Sequence, residues 1–171
     1  SVLNGVTATP STGSTVAAIM TDVSTLVNRF LSANATPRRG YWIMNPRTAL
    51  YLSLLRTAQD VFAFPNITMD GGTWMGFPVI TSQSVSLDYG SPSATYIALV
   101  DAADILYADD GQVTLDVSRE ASLQMDSAPS AGAQSLVSLW QNNLVGLRAE
   151  RYVHWLKRRS TAAYFIDGVT Y

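Results

Sequence analysis

The chain has 171 residues, of which 47% are hydrophobic and only 14% charged, with a net charge of −2 and a pI near 5.2. That length supplies one domain, or two small lobes, with a real core; the aromatic and aliphatic content excludes disorder, and the mild acidity excludes a broad basic surface for coating nucleic acid or anionic lipid. Charge so far below the roughly 25% of an ordinary soluble domain points to surface shared with other protein copies.

Residues 1–14 are rich in Gly, Ser, Thr and Pro and read as loop. Val16, Ile19, Met20, Val23, Leu26, Val27, Phe30 and Leu31 then recur at helical spacing, with Ser14 or Thr15 as N-cap and with Asp22 and Arg29 on the outer face. The helix has ended by Pro37. Tyr41–Met44 is a short apolar run, expected as a buried strand, and Asn45-Pro46 supplies a cap and a first helical residue for a helix carrying Ala49, Leu50, Leu52, Leu54 and Leu55.

Between residues 60 and 126 the pattern is short strands between turn residues, including Trp74–Thr81 and Thr95–Val100. Asp109-Asp110-Gly111 predicts a hairpin joining Ile105–Tyr107 to a run in which Val113, Leu115 and Val117 alternate with polar residues, one face buried and one wet. Ser127–Gln134 reads as a loop or tip. Leu136–Lys157 fits either a helix or a long strand, since periodicity alone does not decide. Tyr164-Phe165-Ile166 before Asp167-Gly168 is a closing strand, and no internal repeat is evident.

Charge is sorted along the chain. Thr57–Ser127 holds ten acidic residues against Arg119 alone, whereas from 148 to 159 Arg148, Arg151, Lys157, Arg158 and Arg159 face only Glu150. Two readings stay open: pairing between an acidic region of one copy and a basic strip of the next, or two solvated faces. The tail's mixture of arginine and aromatic residues also fits a nucleic-acid platform, which the overall acidity weakens.

Little enzymatic chemistry is available. There is no cysteine, hence no disulfide or thiolate, and the single histidine, His154, leaves no multi-His metal site. A serine nucleophile would need His154 as base, yet its neighbours Tyr152, Val153, Trp155 and Leu156 indicate a structural histidine. No nucleophile elbow and no phosphate-binding glycine loop is present. Asp101, Asp104, Asp109 and Asp110 lack the alternation of a calcium loop, so turn and surface roles are expected, with no metal and no cofactor. The sequons at Asn34 and Asn66 matter only in a secretory pathway, which no other feature supports. No apolar run approaches the ~20 residues of a membrane-spanning helix. The chain starts without Met or signal peptide, as expected of a fragment or processed product.

Several segments in order resemble the major capsid proteins of tailed bacteriophages with the Hong Kong 97-type fold. They are Val2-Leu3-Asn4-Gly5, the helix at 15–33, Gly40-Tyr41-Trp42-Ile43-Met44-Asn45-Pro46-Arg47 and the apolar helix after it. Trp74-Met75-Gly76-Phe77-Pro78-Val79-Ile80, Val117-Ser118-Arg119-Glu120 and Gln141–Arg151 complete the set. The resemblance implies an α+β fold, with a mixed central sheet flanked by helices plus a long antiparallel strand pair. It implies a peripheral domain from 1–38 and 112–158 and an axial domain from 39–111 and 159–171. It also makes the ambiguous tail a strand antiparallel to 112–126, joined through a tip at 127–135.

The function implied is structural rather than enzymatic: a C-terminal fragment, lacking N-arm, extended loop and spine helix, of an icosahedral phage or prophage capsid subunit. Such a subunit self-assembles into hexamers and pentamers around packaged DNA, without sequence-specific binding and without a membrane. An encapsulin-like bacterial compartment shell is the alternative. Partners would be further copies of the chain, with portal, scaffold and maturation protease, in the virion and, during assembly, in the bacterial cytoplasm. Candidate intersubunit contacts are Arg119, Glu120, Arg148, Glu150 and Arg151. Some members weld subunits by a Lys–Asn isopeptide bond assisted by a glutamate. The matching asparagine here is Asn142, but the glutamate position falls on Ala149, or a slipped register pairs Asn143 with Glu150, and the lysine's segment is missing, so no cross-link is expected.

Overall fold

The computed structural model describes residues 2–90, 93–126 and 135–171; the expected tip lies largely outside them. The chain divides into two compact units, one running to Leu106 and resuming at Trp155–Tyr171, the other spanning Tyr107–His154. In chain order the strands and helices of the first part are β1 (Thr9–Pro10), α1 (Val16–Ser32), β2 (Gly40–Met44), α2 (Pro46–Leu54), β3 (Ile67–Thr68), β4 (Gly71–Trp74), β5 (Phe77–Thr81) and β6 (Thr95–Asp101). They continue with β7 (Ile105–Asp109), β8 (Thr114–Ser118), β9 (Ser122–Leu123), β10 (Val137–Ser138), β11 (Gly146–Glu150), β12 (Val153–Lys157) and β13 (Ala163–Val169).

The larger unit is built on a seven-stranded mixed sheet of order β1-β13-β6-β2-β5-β4-β3, in which β1 runs parallel to β13 and β2 parallel to β5. Strand β6 shows why both faces are covered. Its Ile97 and Leu99 join the core that α1 and α2 close with Ile19, Leu26, Phe30, Ala49 and Leu52, while Ala98 and Val100 turn to a second cluster under Val2, Leu3 and Val6. Adjacent strand residues point to opposite faces, so a strand buried on both reads as one continuous apolar run. Both helices thus lie on one face and the N-terminal segment covers the other. Trp42, fully buried on β2, donates its indole N–H to the Trp74 carbonyl at 3.0 Å and meets the Trp74 ring at 4.6 Å.

Helix α1 starts where Thr15 accepts the Ala18 N–H. It packs against β13 and β1 of the larger unit, although the family division expects residues 1–38 in the peripheral part. One expectation is corrected: Asp22 does not face outward but is 1% exposed, because Ser11 and Thr12 fold over it and supply its hydrogen bonds. In α2, Asn45 accepts the Arg47 N–H as N-cap. The nine-residue helix presents only one face, so Thr48, Ala49 and Leu52 are buried and Leu50 and Leu54 are exposed.

In the smaller unit, β8 and β11 pair antiparallel with Leu147 opposite Val117 and Ala149 opposite Leu115, and β9 pairs with β10. The tail therefore carries strands rather than a helix, β10, β11 and β12, with a turn between the first two. The expected hairpin is corrected: no turn or bend forms at Asp109–Gly111, although Gly111 takes φ +69°, and β7 pairs with β12 and β8 with β11. Asp109 and Asp110 hold the Gly111 and Gln112 N–H groups locally, and the pairing goes to strands far along the chain. Also corrected is the buried face expected for Val113, Leu115 and Val117, all of which are exposed. Among the described residues nothing covers them. Trp155 and His154 of β12 are likewise exposed, so the structural histidine expected from its apolar neighbours is not found.

Candidate functional site

Among the described residues no group of three or more His, Asp or Glu could hold a metal. The aspartates considered for calcium have turn and ion-pair roles. Asp101 accepts the N–H groups of Arg38, Arg39 and Ala103 at 3.0–3.2 Å, while Asp109 and Asp110 accept those of Gly111 and Gln112, two residues on. Such turns satisfy loop backbone donors that would otherwise lack a partner.

The charge sorting seen in the sequence resolves largely within one chain. Arg151 clasps both carboxylate oxygens of Asp109, to which Tyr107 also donates. Arg151 first, then the Gly111 N–H, holds the Asp109 carboxyl at about 2, below its ordinary 3.8, and the same clasp raises the Arg151 pKa. The bond to Asp109 pushes the Tyr107 hydroxyl up. On β11, Arg148 bridges Asp116 across the ladder at 2.8 Å and Glu150 along it at 3.3 Å, which raises its pKa. Arg159 faces Asp104 at 3.5 Å, and Lys157 reaches the Asn4 carbonyl.

Of the contact candidates, Arg148, Glu150 and Arg151 are thus engaged in the chain's own pairs. Arg119 and Glu120 lie in the exposed turn between β8 and β9 with no side-chain partner among the described residues. Asn142 is exposed and donates to the Ser138 carbonyl, and Asn143 beside it adopts φ 51°.

The other face of the β8–β11 ladder is apolar and open. Alternation puts Asp116 and Arg148 on one side and Leu115, Val117, Leu147 and Ala149 on the other, where Leu115 is 63%, Val117 65% and Leu147 71% exposed. This is a contiguous apolar stripe rather than a scatter of lone hydrophobes. Two features were not drawn from the sequence: buried Asp22 and a polar cleft in the larger unit lined by Arg38, Arg158 and Arg159. The cleft's only sequence signal is two Arg-Arg pairs far apart.

Residues 2–156 match the family described as the phage capsid family. The chain belongs to that family. A capsid polyprotein of Pseudomonas phage PAJU2 is 44% identical over 174 residues, covering all of this chain and 26% of that protein. The fold resembles solved structures titled Mycobacterium phage Ogopogo and Mycobacterium phage Che8, with TM-scores of 0.63 and 0.62 at 14% and 16% identity. Each covers 96% of this chain, which spans 53% and 54% of theirs. The α+β architecture is that of the Hong Kong 97-type capsid proteins, and this capsid-family chain spans about a quarter of its curated relative and about half of the solved chains.

Proposed function

We propose that the chain is part of the structural subunit of an icosahedral phage or prophage capsid, self-assembling into hexamers and pentamers around packaged DNA. The carrying observation is the 44% identity to a capsid polyprotein along the whole of this chain. The physical reading supports it. A two-stranded ribbon with one wholly apolar face is marginal alone in water, and the larger unit, with its sheet covered on both faces, is a self-sufficient platform to carry it. The work asked of such a protein is association, and no reaction is assigned to it.

In this reading the larger unit corresponds to most of the family's axial domain, and Tyr107–His154 to part of its peripheral domain. Arg119 and Glu120, free on an exposed turn, are the contact candidates best placed to meet a neighbour, while Arg148, Glu150 and Arg151 stiffen the ribbon. DNA is enclosed without base readout, and portal, scaffold and protease are partners of the assembly. The place of action is the virion, after assembly in the bacterial cytoplasm. The capsid-family match and the phage origin of the curated relative favour this over a compartment shell. Electron microscopy of the full-length protein tests it: shells or capsomers are expected, and a strictly monomeric product refutes it.

A further inference from the structure

The larger unit carries a cleft of about 420 Å³ between the end of α1, the start of β2, the end of β6 and the approach to β13. Arg38, Arg158 and Arg159 line it together with Asp101 and Asp104. Both carboxylates are buried. Asp101 is occupied by three backbone N–H groups, and Asp104 faces Arg159 at 3.5 Å. The guanidinium groups of Arg38 and Arg158 have no partner among the described residues, although the Arg158 N–H is anchored on the Asp104 carbonyl at 2.8 Å.

Three guanidinium groups against two carboxylates leave one positive charge uncompensated. An arginine fork fits a carboxylate in bidentate fashion. A phosphate backbone fits less well, because the buried Asp101 and Asp104 repel its repeated charge while one positive charge is free to meet it. The same chain carries two carboxylates of the complementary kind. Asp70, between β3 and β4, and Glu120, between β8 and β9, are exposed and have no side-chain partner among the described residues. Opposite, unmatched charges on distinct parts of one chain are what a head-to-tail contact between identical copies requires.

We infer that this cleft is an intersubunit carboxylate-binding site, in which Arg38 and Arg158 receive an acidic side chain, Asp70 or Glu120, from a second copy of the chain. The inference rests on the shell reading above. It assigns register to the Arg38–Arg158 contact, since a carboxylate presented at any other position would leave both guanidinium groups unmatched.

The test uses full-length protein carrying R38K or R158K, assembled from an equal mixture of nitrogen-14 and nitrogen-15 subunits and treated with a zero-length carbodiimide cross-linker. The region's own background is low because Lys157 is its single lysine. Mixed-isotope peptides joining position 38 or 158 to the segment holding Asp70 or Glu120 are expected. In parallel, R38E/R158E lowers particle yield about tenfold or more, as removal of a buried charged contact does, and D70R or E120R restores it. Particles that give only same-isotope links, or unchanged yield with weakened DNA retention, overturn the site. If the unsubstituted protein forms no particles, the shell reading falls first and the cleft with it.

Discussion

Replacing Asp22 by alanine tests the least expected packing decision in the fold. The carboxylate accepts the Thr12 N–H at 3.0 Å, the Thr12 hydroxyl at 2.7 Å and the Ser11 hydroxyl at 3.1 Å, while the Ser11 N–H donates to the Asp167 carbonyl of β13 at 2.9 Å. Hydrogen bonds to a charged group contribute about 1.5–3 kcal/mol each. Thr12 is exposed and Ser11 half-buried, so their hydroxyls regain water on truncation and the sum is well below three full bonds. Asp22→Ala is expected to cost about 2–4 kcal/mol, or roughly 5–15 °C in Tm for a domain of this size. Asp22→Asn keeps one oxygen acceptor and should cost about half as much. Urea unfolding followed by tryptophan fluorescence reads the change, since Trp42 and Trp74 are buried in the same core. A double-mutant cycle with Thr12→Val isolates the shortest bond, with a coupling of about 1–2 kcal/mol expected. Asp22→Ala within about 0.5 kcal/mol of the parent, the ordinary surface range, would refute the assignment of Asp22 as the pin between α1 and the segment leading from β1.

Three further outcomes are expected. Gly72→Ala places a Cβ 2.1 Å from the Asn66 carbonyl oxygen on a backbone at φ +119°; a loss of about 3 kcal/mol or more in urea unfolding follows, and a loss under about 1 kcal/mol would contradict the β3–β4 geometry. The Asp109 carboxyl, held at about 2 against an ordinary 3.8, stabilises the clasp fully above the unfolded value. That contribution falls away as pH drops from about 4 through about 2, so a carbon-13 titration of Asp109 should show a midpoint near 2 that Arg151→Ala returns toward the ordinary value. V117T/L147T should leave unfolding of the chain within about 0.5 kcal/mol, yet lower dye binding by exposed apolar surface and abolish particle formation by the full-length protein; unimpaired assembly would show that the stripe is not a contact.

The elements that local chemistry dictates were legible in the sequence. Thr15 and Asn45 cap the helices that the spacing predicts, and the apolar run at 41–44 is the strand next to β6 in the sheet. Less legible were features decided by what lies far along the chain. Asp22 occupies a position that a charged residue normally holds in water, and only the fold of Ser11 and Thr12 over it makes it interior. Asp109-Asp110-Gly111 has the composition of a tight turn, yet β7 passes over its neighbour for β12, because a turn signal carries no information about partners forty residues on. The alternation of Val113, Leu115 and Val117 has the same period whether or not anything covers it. The arginine cleft needed three-dimensional structure outright, since Arg38 and Arg158 are 120 residues apart in the chain.

The low charge of the chain takes on a specific meaning once the two units are considered apart. In the larger unit, buried residues such as Trp42, Leu52, Ile97 and Ile166 account for the apolar content, and few charges are needed because the surface is small beside the core. In the smaller unit Leu139 is the one buried hydrophobic side chain among the described residues. Along one face of its ladder Arg148 pairs with Asp116 and Glu150, and exposed ion pairs contribute about 0–1 kcal/mol each. Pairs of that strength do not hold a ribbon against the entropy of its strands. The remaining stabilisation has to come from burial of Leu115, Val117 and Leu147, so the ribbon reaches its full stability only in contact with another polypeptide segment. Charge is therefore kept off the apolar face rather than off that unit: each Lys or Glu added to the apolar face would have to be desolvated when the face is covered, whereas Asp116, Arg148 and Glu150 on the opposite face are already matched within the chain.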